Sequence, residues 1–259
     1  MNPLRVLCAL LSLASTWALS QETQPQPRNE VLIYGQHSGF TAEDRSPHSV
    51  ATLQYYRTIS PAVKMFADAS ATRRFDRTDA SAGIGAYYIA DPSNSFYGFI
   101  AAGFDPVVIP RADVTVEYTR LLLPRLAGSI GYRGLAFAEE TVHMAIPGIT
   151  VYAIPRWTFT GKLFCARLRT DAQLRATFLL HTTFEIDERW MPELYYTVGS
   201  EAYRATSLDL VASQHSWSFS IGGKVRLSES LRLRIHAMHG VRGGAFEENG
   251  IDCALSVLW

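Results

Sequence analysis

Three small groups of residues in this sequence carry side chains that could do chemistry. His181, Thr183 and Glu185 stand at alternate positions, so in an extended chain they share one face. A base, a hydroxyl and an acid within reach of one another are the components of acyl transfer. His215 beside Ser216 is a second base–hydroxyl pair, but neighbours in a strand point to opposite sides. His236 and His239 have the spacing of a metal pair on a helix; on a strand, odd spacing separates them. The sequence has no His-Glu-x-x-His and no Cys-x-x-Cys, so neither a metal nor a cofactor is expected. Gly83-Ile84-Gly85 is no phosphate loop, because no helix follows it; glycine there relieves crowding on a curved sheet. A histidine among polar neighbours on a strand is ordinarily a hydrogen-bonded wall residue. The reading is therefore non-enzymatic. Its alternative is a lipid- or peptide-active enzyme carried by His181, Glu185 and His215.

The elements that would position these residues are strands. Leu174, Ala176, Phe178, Leu180, Thr182 and Phe184 alternate with Arg175, Thr177, Leu179, His181, Thr183 and Glu185. Trp217, Phe219, Ile221, Gly223 and Val225 alternate with Ser216, Ser218, Ser220, Gly222, Lys224 and Arg226. This is period-2 patterning, one apolar face and one polar face. The whole chain divides into hairpins of this kind: Glu30–Phe40 with His48–Ile59, Ala62–Arg74 with Asp79–Ala90, Ser95–Phe104 with Arg111–Leu122, and Arg125–Phe137 with Val142–Ile154. Trp157–Arg169 with Gln173–Ile186, Trp190–Gly199 with Leu208–Leu227, and Leu231–Val241 with Asn249–Trp259 complete the set. Short turns alternate with longer or more polar connections, among them Thr41 to Pro47, Arg73 to Arg77, Asp105 to Pro110 and Ser200 to Ser207. The fold expected is all-β, a transmembrane antiparallel up-and-down β-barrel over residues 30–259, of about 14 strands with 12 as the alternative. The short turns are then periplasmic.

Composition agrees. The chain is 47% hydrophobic and 12% aromatic, yet it has no apolar run long enough for a membrane-spanning helix after its first twenty residues. Its formal net charge is zero, which argues against nucleic acid as a partner. A charge on the lipid face of a barrel costs about 2–4 kcal/mol at mid-membrane. The polar phase must therefore face inward. It carries Lys64, Asp68, Asp113, Glu117, Arg133, Lys162, Arg175, Glu185, Glu193, Lys224, Arg226, Arg232, Arg234 and Asp252. Two readings of these charges remain, an internal scaffold and a selective passage. The mixture of signs, without a ring of one sign, favours the scaffold. Tyr55, Tyr87, Phe96, Tyr118, Tyr132, Trp157, Tyr196, Trp217 and Trp259 are candidates for an interfacial belt. Cys165 and Cys253 fall on the apolar phase of separate strands and are expected to be unpaired.

The two ends of the sequence carry further signals. Arg5, the apolar run Val6–Leu19 and Ala18-Leu19-Ser20 read as a signal peptide over residues 1–20, cleaved near Ser20 and Gln21. Residues 21–29, polar with two prolines, read as a short periplasmic tail. At the other end Ile251, Cys253, Leu255, Val257 and Trp259 alternate to a final aromatic. Ile251, Leu255, Val257 and Trp259 have the form of the signal read by the barrel-assembly machinery. The partners expected are outer-membrane lipid, lipopolysaccharide and that machinery. A soluble periplasmic barrel is the remaining alternative of class.

Several stretches together resemble the YaiO family of bacterial outer-membrane β-barrels. They are Gly131-Tyr132-Arg133-Gly134-Leu135-Ala136-Phe137, the hairpin from Ile149 through Pro155 to Arg169, and Leu194-Tyr195-Tyr196-Thr197-Val198-Gly199 before a polar loop. The likeness runs from about Glu30 to Trp259, and the order of the stretches is more specific than any one of them. It departs at Pro155-Arg156 and in the absence of a Tyr-rich run near Thr160. The resemblance implies an outer-membrane location and supplies no catalytic residue. It also implies an envelope role, as a narrow passage or an anchor, linked to polysaccharide or its export machinery and to biofilm.

Overall fold

The alternation of apolar and polar residues closes into a single sheet. In the computed structural model, the described residues are 28–41, 47–74, 76–154, 156–170, 174–200, 216–242 and 246–259. Fourteen strands run in order: β1 (Asn29–Phe40), β2 (His48–Ser60), β3 (Val63–Arg74), β4 (Arg77–Asp91), β5 (Asn94–Phe104), β6 (Ala112–Leu123) and β7 (Leu126–Ala136), then β8 (Thr141–Ile154), β9 (Trp157–Leu168), β10 (Leu174–Phe184), β11 (Trp190–Gly199), β12 (Ser216–Arg226), β13 (Leu231–Arg242) and β14 (Phe246–Leu258). Each pairs antiparallel with its neighbours in sequence, and β14 pairs with β1 from Glu30↔Leu258 to Phe40↔Glu248. Closure leaves no free strand edge. Trp259 adds to the seam beyond β14, its N–H donating to the Asn29 carbonyl at 3.1 Å.

Every strand is long enough to cross a bilayer when tilted. The outward phase is apolar and exposed along the wall: Ile33, Leu53, Ile84, Ile100, Val116, Ile130, Ile149, Phe178, Ile221, Ile235 and Ile251. Much of the inward phase is buried, from Tyr34 on β1 to Asp252 on β14. One fixed phase therefore separates lipid-facing from lumen-facing side chains around the barrel, the arrangement of a transmembrane barrel. Short turns join β2–β3, β4–β5, β6–β7, β8–β9, β10–β11 and β12–β13. That end also holds Asn29 and Trp259, and by the general rule for such barrels it faces the periplasm.

Two details differ from the sequence reading. Arg73 to Arg77, expected among the longer or more polar connections, is short: β3 and β4 stay paired out to Arg74↔Arg77, and Asp76 adopts φ 54°. Tyr87, a candidate for the outer belt, is 4% exposed and points inward. It shares the inward phase of Gly83 and Gly85. Rings of Phe99 and Phe66 lie over those glycines, where an added Cβ would meet them at 2.6 and 2.3 Å. The result is an inner aromatic cluster of Tyr56, Phe66, Tyr87, Tyr97 and Phe99. A second apolar cluster inside the wall, which includes Leu135, Val142, Met144, Phe164, Leu179 and Tyr195, packs along β7 to β11. The lumen is thus partly filled by apolar side chains, not lined by polar ones alone. Residues 1–20, most of the 21–29 tail, and the 201–215 segment that includes Leu208 to Gln214 and His215 lie outside the described residues.

Candidate functional site

Inside the wall, the charged side chains find partners across strands. Arg133 on β7 donates to Asp113 on β6 through Nη2 at 2.8 Å and Nε at 3.2 Å. Both side chains are at most 4% exposed. The Thr115 hydroxyl adds a contact to Asp113 at 3.3 Å.

The other buried pairs reach further. Lys162 on β9 donates to both oxygens of Glu117 on β6, at 2.7 and 2.8 Å. Two strands lie between them. The register places Gly131 beside Glu117 and Gly148 beside Lys162. A Cβ on Gly131 would stand 3.4 Å from Glu117 Oε2, and one on Gly148 would stand 3.1 Å from Lys162 Cγ. Glycine on the inward phase of the intervening strands gives the two long side chains room to meet over the wall.

The same device recurs further round the wall. Glu193 on β11, fully enclosed, forms an ion pair with Lys224 at 2.9 Å and sits 3.1 Å from His236 Nε2. Between β11 and β13 the register places Gly222, opposite both Glu193 and His236. His236 Nδ1 lies 3.2 Å from Asp252 on β14. The His181 ring stacks on Tyr195 with centroids 4.0 Å apart, and its Nε2 stands 3.7 Å from Glu193, outside hydrogen-bond range.

This changes the sequence picture of the candidate catalytic set. The acid near His181 is Glu193, not Glu185. Glu185 lies past the end of β10, where its N–H donates to the Arg156 carbonyl. Same-strand alternation cannot reveal such a partner, because it arises from register between strands. Among the described residues, no group of three or more His, Cys, Asp or Glu side chains could hold a metal ion.

The remaining sequence-derived residues are dispersed. Lys64 meets Glu30 at 3.1 Å near the short-turn end. Asp68 accepts from Gln54 at 2.9 Å. Arg234 lies over the Tyr34 ring at 5.8 Å. Arg226 is 3.9 Å from Glu188 in an exposed turn. Arg232 is exposed, and Arg175 is half-buried. His239, as its odd spacing from His236 requires, is on the other face, against Trp217 and Phe219. Cys165 and Cys253 are free thiols.

The long-connection end is narrowed by its loops, whose inward fold the sequence does not reveal. Asp79 on the inward phase of β4 accepts the backbone N–H groups of Val107, Val108 and Ile109 at 3.0, 2.5 and 2.9 Å. This folds the β5–β6 loop in, with Val108 and Ile109 buried. Glu140 in the β7–β8 loop takes the Thr170 hydroxyl and the N–H groups of Thr141, Arg169 and Thr170. The Thr170 hydroxyl, followed by those backbone N–H groups, holds the Glu140 carboxyl below the usual carboxylate range. A lowered folded-state value stabilises the clamp above the ordinary carboxylate pKa and loses that stability as pH falls through the folded value. Limited proteolysis between residues 137 and 170 should therefore accelerate on acidification in the native protein. In Glu140→Gln it should be faster at neutral pH and nearly independent of pH.

At the opposite end, among the short turns, a cavity of about 350 Å³ opens against the inner wall between β4 and β9. Tyr87, Tyr97, Tyr152, Leu121 and Ala127 line it, and the Glu117–Lys162 pair stands at its inner side.

Comparison with known proteins adds the frame. Residues 28–204 match the YaiO membrane beta barrel domain. Among curated proteins, none matches the chain by sequence. By fold it is similar to a CymD monoaromatic hydrocarbon channel (TM-score 0.62, 9% identity, 92% of this chain and 90% of that one). It is similar too to a bacterial polysaccharide outer membrane secretin (0.59, 8% identity, 91% and 100%). A third is the Acinetobacter baumannii outer membrane protein Omp33 (0.53, 10% identity, 90% and 99%).

Proposed function

From the premise that this chain belongs to the YaiO membrane β-barrel domain family, a barrel of the bacterial outer membrane, we propose that it is a narrow passage for small uncharged solutes. One observation carries the reading: three enclosed acids of the wall are each paired with a base of the same wall. Asp113 is held by Arg133, Glu117 by Lys162, and Glu193 by Lys224 and His236. Such a wall presents no surplus of one sign to attract or reject ions. The charges act as scaffold, and selection falls to width and to hydrogen bonding. Two similar folds are named a monoaromatic hydrocarbon channel and a polysaccharide outer membrane secretin; this is consistent with passage.

A second reading is favoured by the packed inner cluster around Leu135, Met144 and Leu179. It makes the barrel a closed anchor for polysaccharide components or their export machinery. Swelling of proteoliposomes separates the two. A passage admits arabinose faster than empty vesicles do and excludes the larger sucrose. Swelling no faster than in empty vesicles would overturn the passage and leave the anchor.

A further inference from the structure

The lipid-facing side of the wall carries a polar cluster that the inner scaffold does not use. Tyr132 on β7, His143 on β8 and Arg167 on β9 are all on the outward phase, toward the long-connection end. The register sets His143 beside Gly134 and directly opposite Arg167. Cβ atoms so paired stand about 4.5–5.5 Å apart. The Tyr132 ring extends over Gly134, where an added Cβ would stand 3.0 Å from the tyrosine hydroxyl. That hydroxyl reaches His143 Nδ1 at 2.7 Å. Glycine thus leaves the shelf on which hydroxyl and imidazole meet, and the register adds the guanidinium.

The cluster has a cation and no acid to balance it. β7, β8 and β9 contain neither Asp nor Glu. In the β7–β8 loop, Glu140 is buried and taken up by Thr170 and backbone N–H groups. Glu139 beside it is exposed and in no ion pair among the described residues. Arg167 is exposed and has neither an ion-pair nor a hydrogen-bond partner among the described residues. Arg73, outward on β3 at the same end, has Asp76 at 4.0 Å. A lipid-facing arginine is unfavourable in hydrocarbon and tolerated near the interface, where lipid headgroups supply the opposite charge. Toward mid-membrane the same strands expose Ile130, Ile149 and Leu163. A cationic patch above an apolar face fits an anionic head with several acyl chains.

We propose that Tyr132, His143 and Arg167 bind a phosphate of the outer-leaflet glycolipid, the lipid A part of lipopolysaccharide, with its acyl chains along Ile130, Ile149 and Leu163. A guanidinium presents paired N–H donors that match phosphate oxygens. With the Tyr132 hydroxyl donating to Nδ1, the neutral imidazole carries its own proton on Nε2 and offers a further donor. Arg57, outward on β2 at the short-turn end, lacks this company: its cross-strand neighbours are Asn29 and Met65. The site follows from the long connections facing the cell exterior and is independent of the passage reading.

The test uses the full barrel folded in detergent micelles and native mass spectrometry with three probes. They are bisphosphorylated lipid A, the same lipid stripped of its phosphates, and phosphatidylglycerol. The native protein should retain lipid A about tenfold more tightly than either of the others. Arg167→Gln should weaken lipid A binding about tenfold or more, the weight of a hydrogen bond to a charged group. Tyr132→Phe, which keeps the ring, should weaken it severalfold, and Arg57→Gln should leave it unchanged. Heat-modifiable gel mobility establishes that each variant is folded. Equal retention of the dephosphorylated lipid or of phosphatidylglycerol would overturn the assignment. So would unchanged lipid A binding in the folded Arg167→Gln or Tyr132→Phe variant, or an equal loss in Arg57→Gln.

Discussion

Arg133→Ala is expected to lower the stability of the folded barrel by about 3–5 kcal/mol. The guanidinium holds Asp113 through two bonds, and neither side chain is more than 4% exposed. Truncation leaves the carboxylate enclosed with only the Thr115 hydroxyl at 3.3 Å among its side-chain contacts described above. That residual contact is far too weak to replace a paired cation. The magnitude comes from stranding a buried charge, and the net worth of the pair is much smaller. Replacing both partners with Arg133→Met and Asp113→Leu should therefore recover most of the loss. Arg226 serves as the contrast, since its partner Glu188 is 88% exposed at 3.9 Å. Arg226→Ala should change stability by no more than about 1 kcal/mol. Urea titration of the protein in lipid vesicles measures all three. Near-equal losses for Arg133→Ala and Arg226→Ala would defeat this account of the inner wall.

Gly222→Val is expected to destabilise by about 1–3 kcal/mol through overpacking, with the loss of the Glu193–His236 contact in addition. A Cβ at this position would lie 2.0 Å from the Ile235 carbonyl oxygen and 2.6 Å from His236 Cα. Those are backbone atoms of β13 and cannot simply rotate away. The strand must shift, and His236 shifts with it, away from Glu193 and Asp252. Gly98 shows that this is a property of place and not of residue type. Its added Cβ would meet nothing within 4 Å, so Gly98→Ala should be neutral or stabilising by up to about 1 kcal/mol. The comparison is read from the same urea titrations, with the His236 ring signals in NMR reporting the broken contact. Equal effects of substitution at Gly222 and Gly98 would contradict the bridging role of glycine.

The sequence makes the wall legible because its signal is local. Alternation at steps of two identifies each strand and its inward phase, so β2, β10 and β12 begin or end within a residue or two of their expected limits wherever a turn is short. Barrel closure follows from an even set of such strands with both faces assigned. The pairings inside are different. Glu117 and Lys162 are 45 residues apart and meet only because Gly131 and Gly148 occupy the inward positions between them. Glu193 and His236 meet across Gly222 for the same reason. Alternation places each of these residues on the inner face but contains no information on register, so it cannot reveal which acid a base will meet. Tyr87 is a belt candidate by sequence because an aromatic near a strand end fits an interface belt as readily as an inner cluster. Its phase with Gly83 and Gly85 carried the correct answer. The inward fold of the β5–β6 loop was hidden because Asp79 captures backbone N–H groups, and those are the same for any sequence.

The central claim is that the charges of the inner wall neutralise one another and leave a narrow passage indifferent to charge. Single-channel recording of the refolded barrel in a planar bilayer under a salt gradient tests it most directly. The account predicts small openings with a reversal potential near zero, showing little preference between cation and anion. A folded barrel that never opens, or one with large and strongly ion-selective openings, would contradict it.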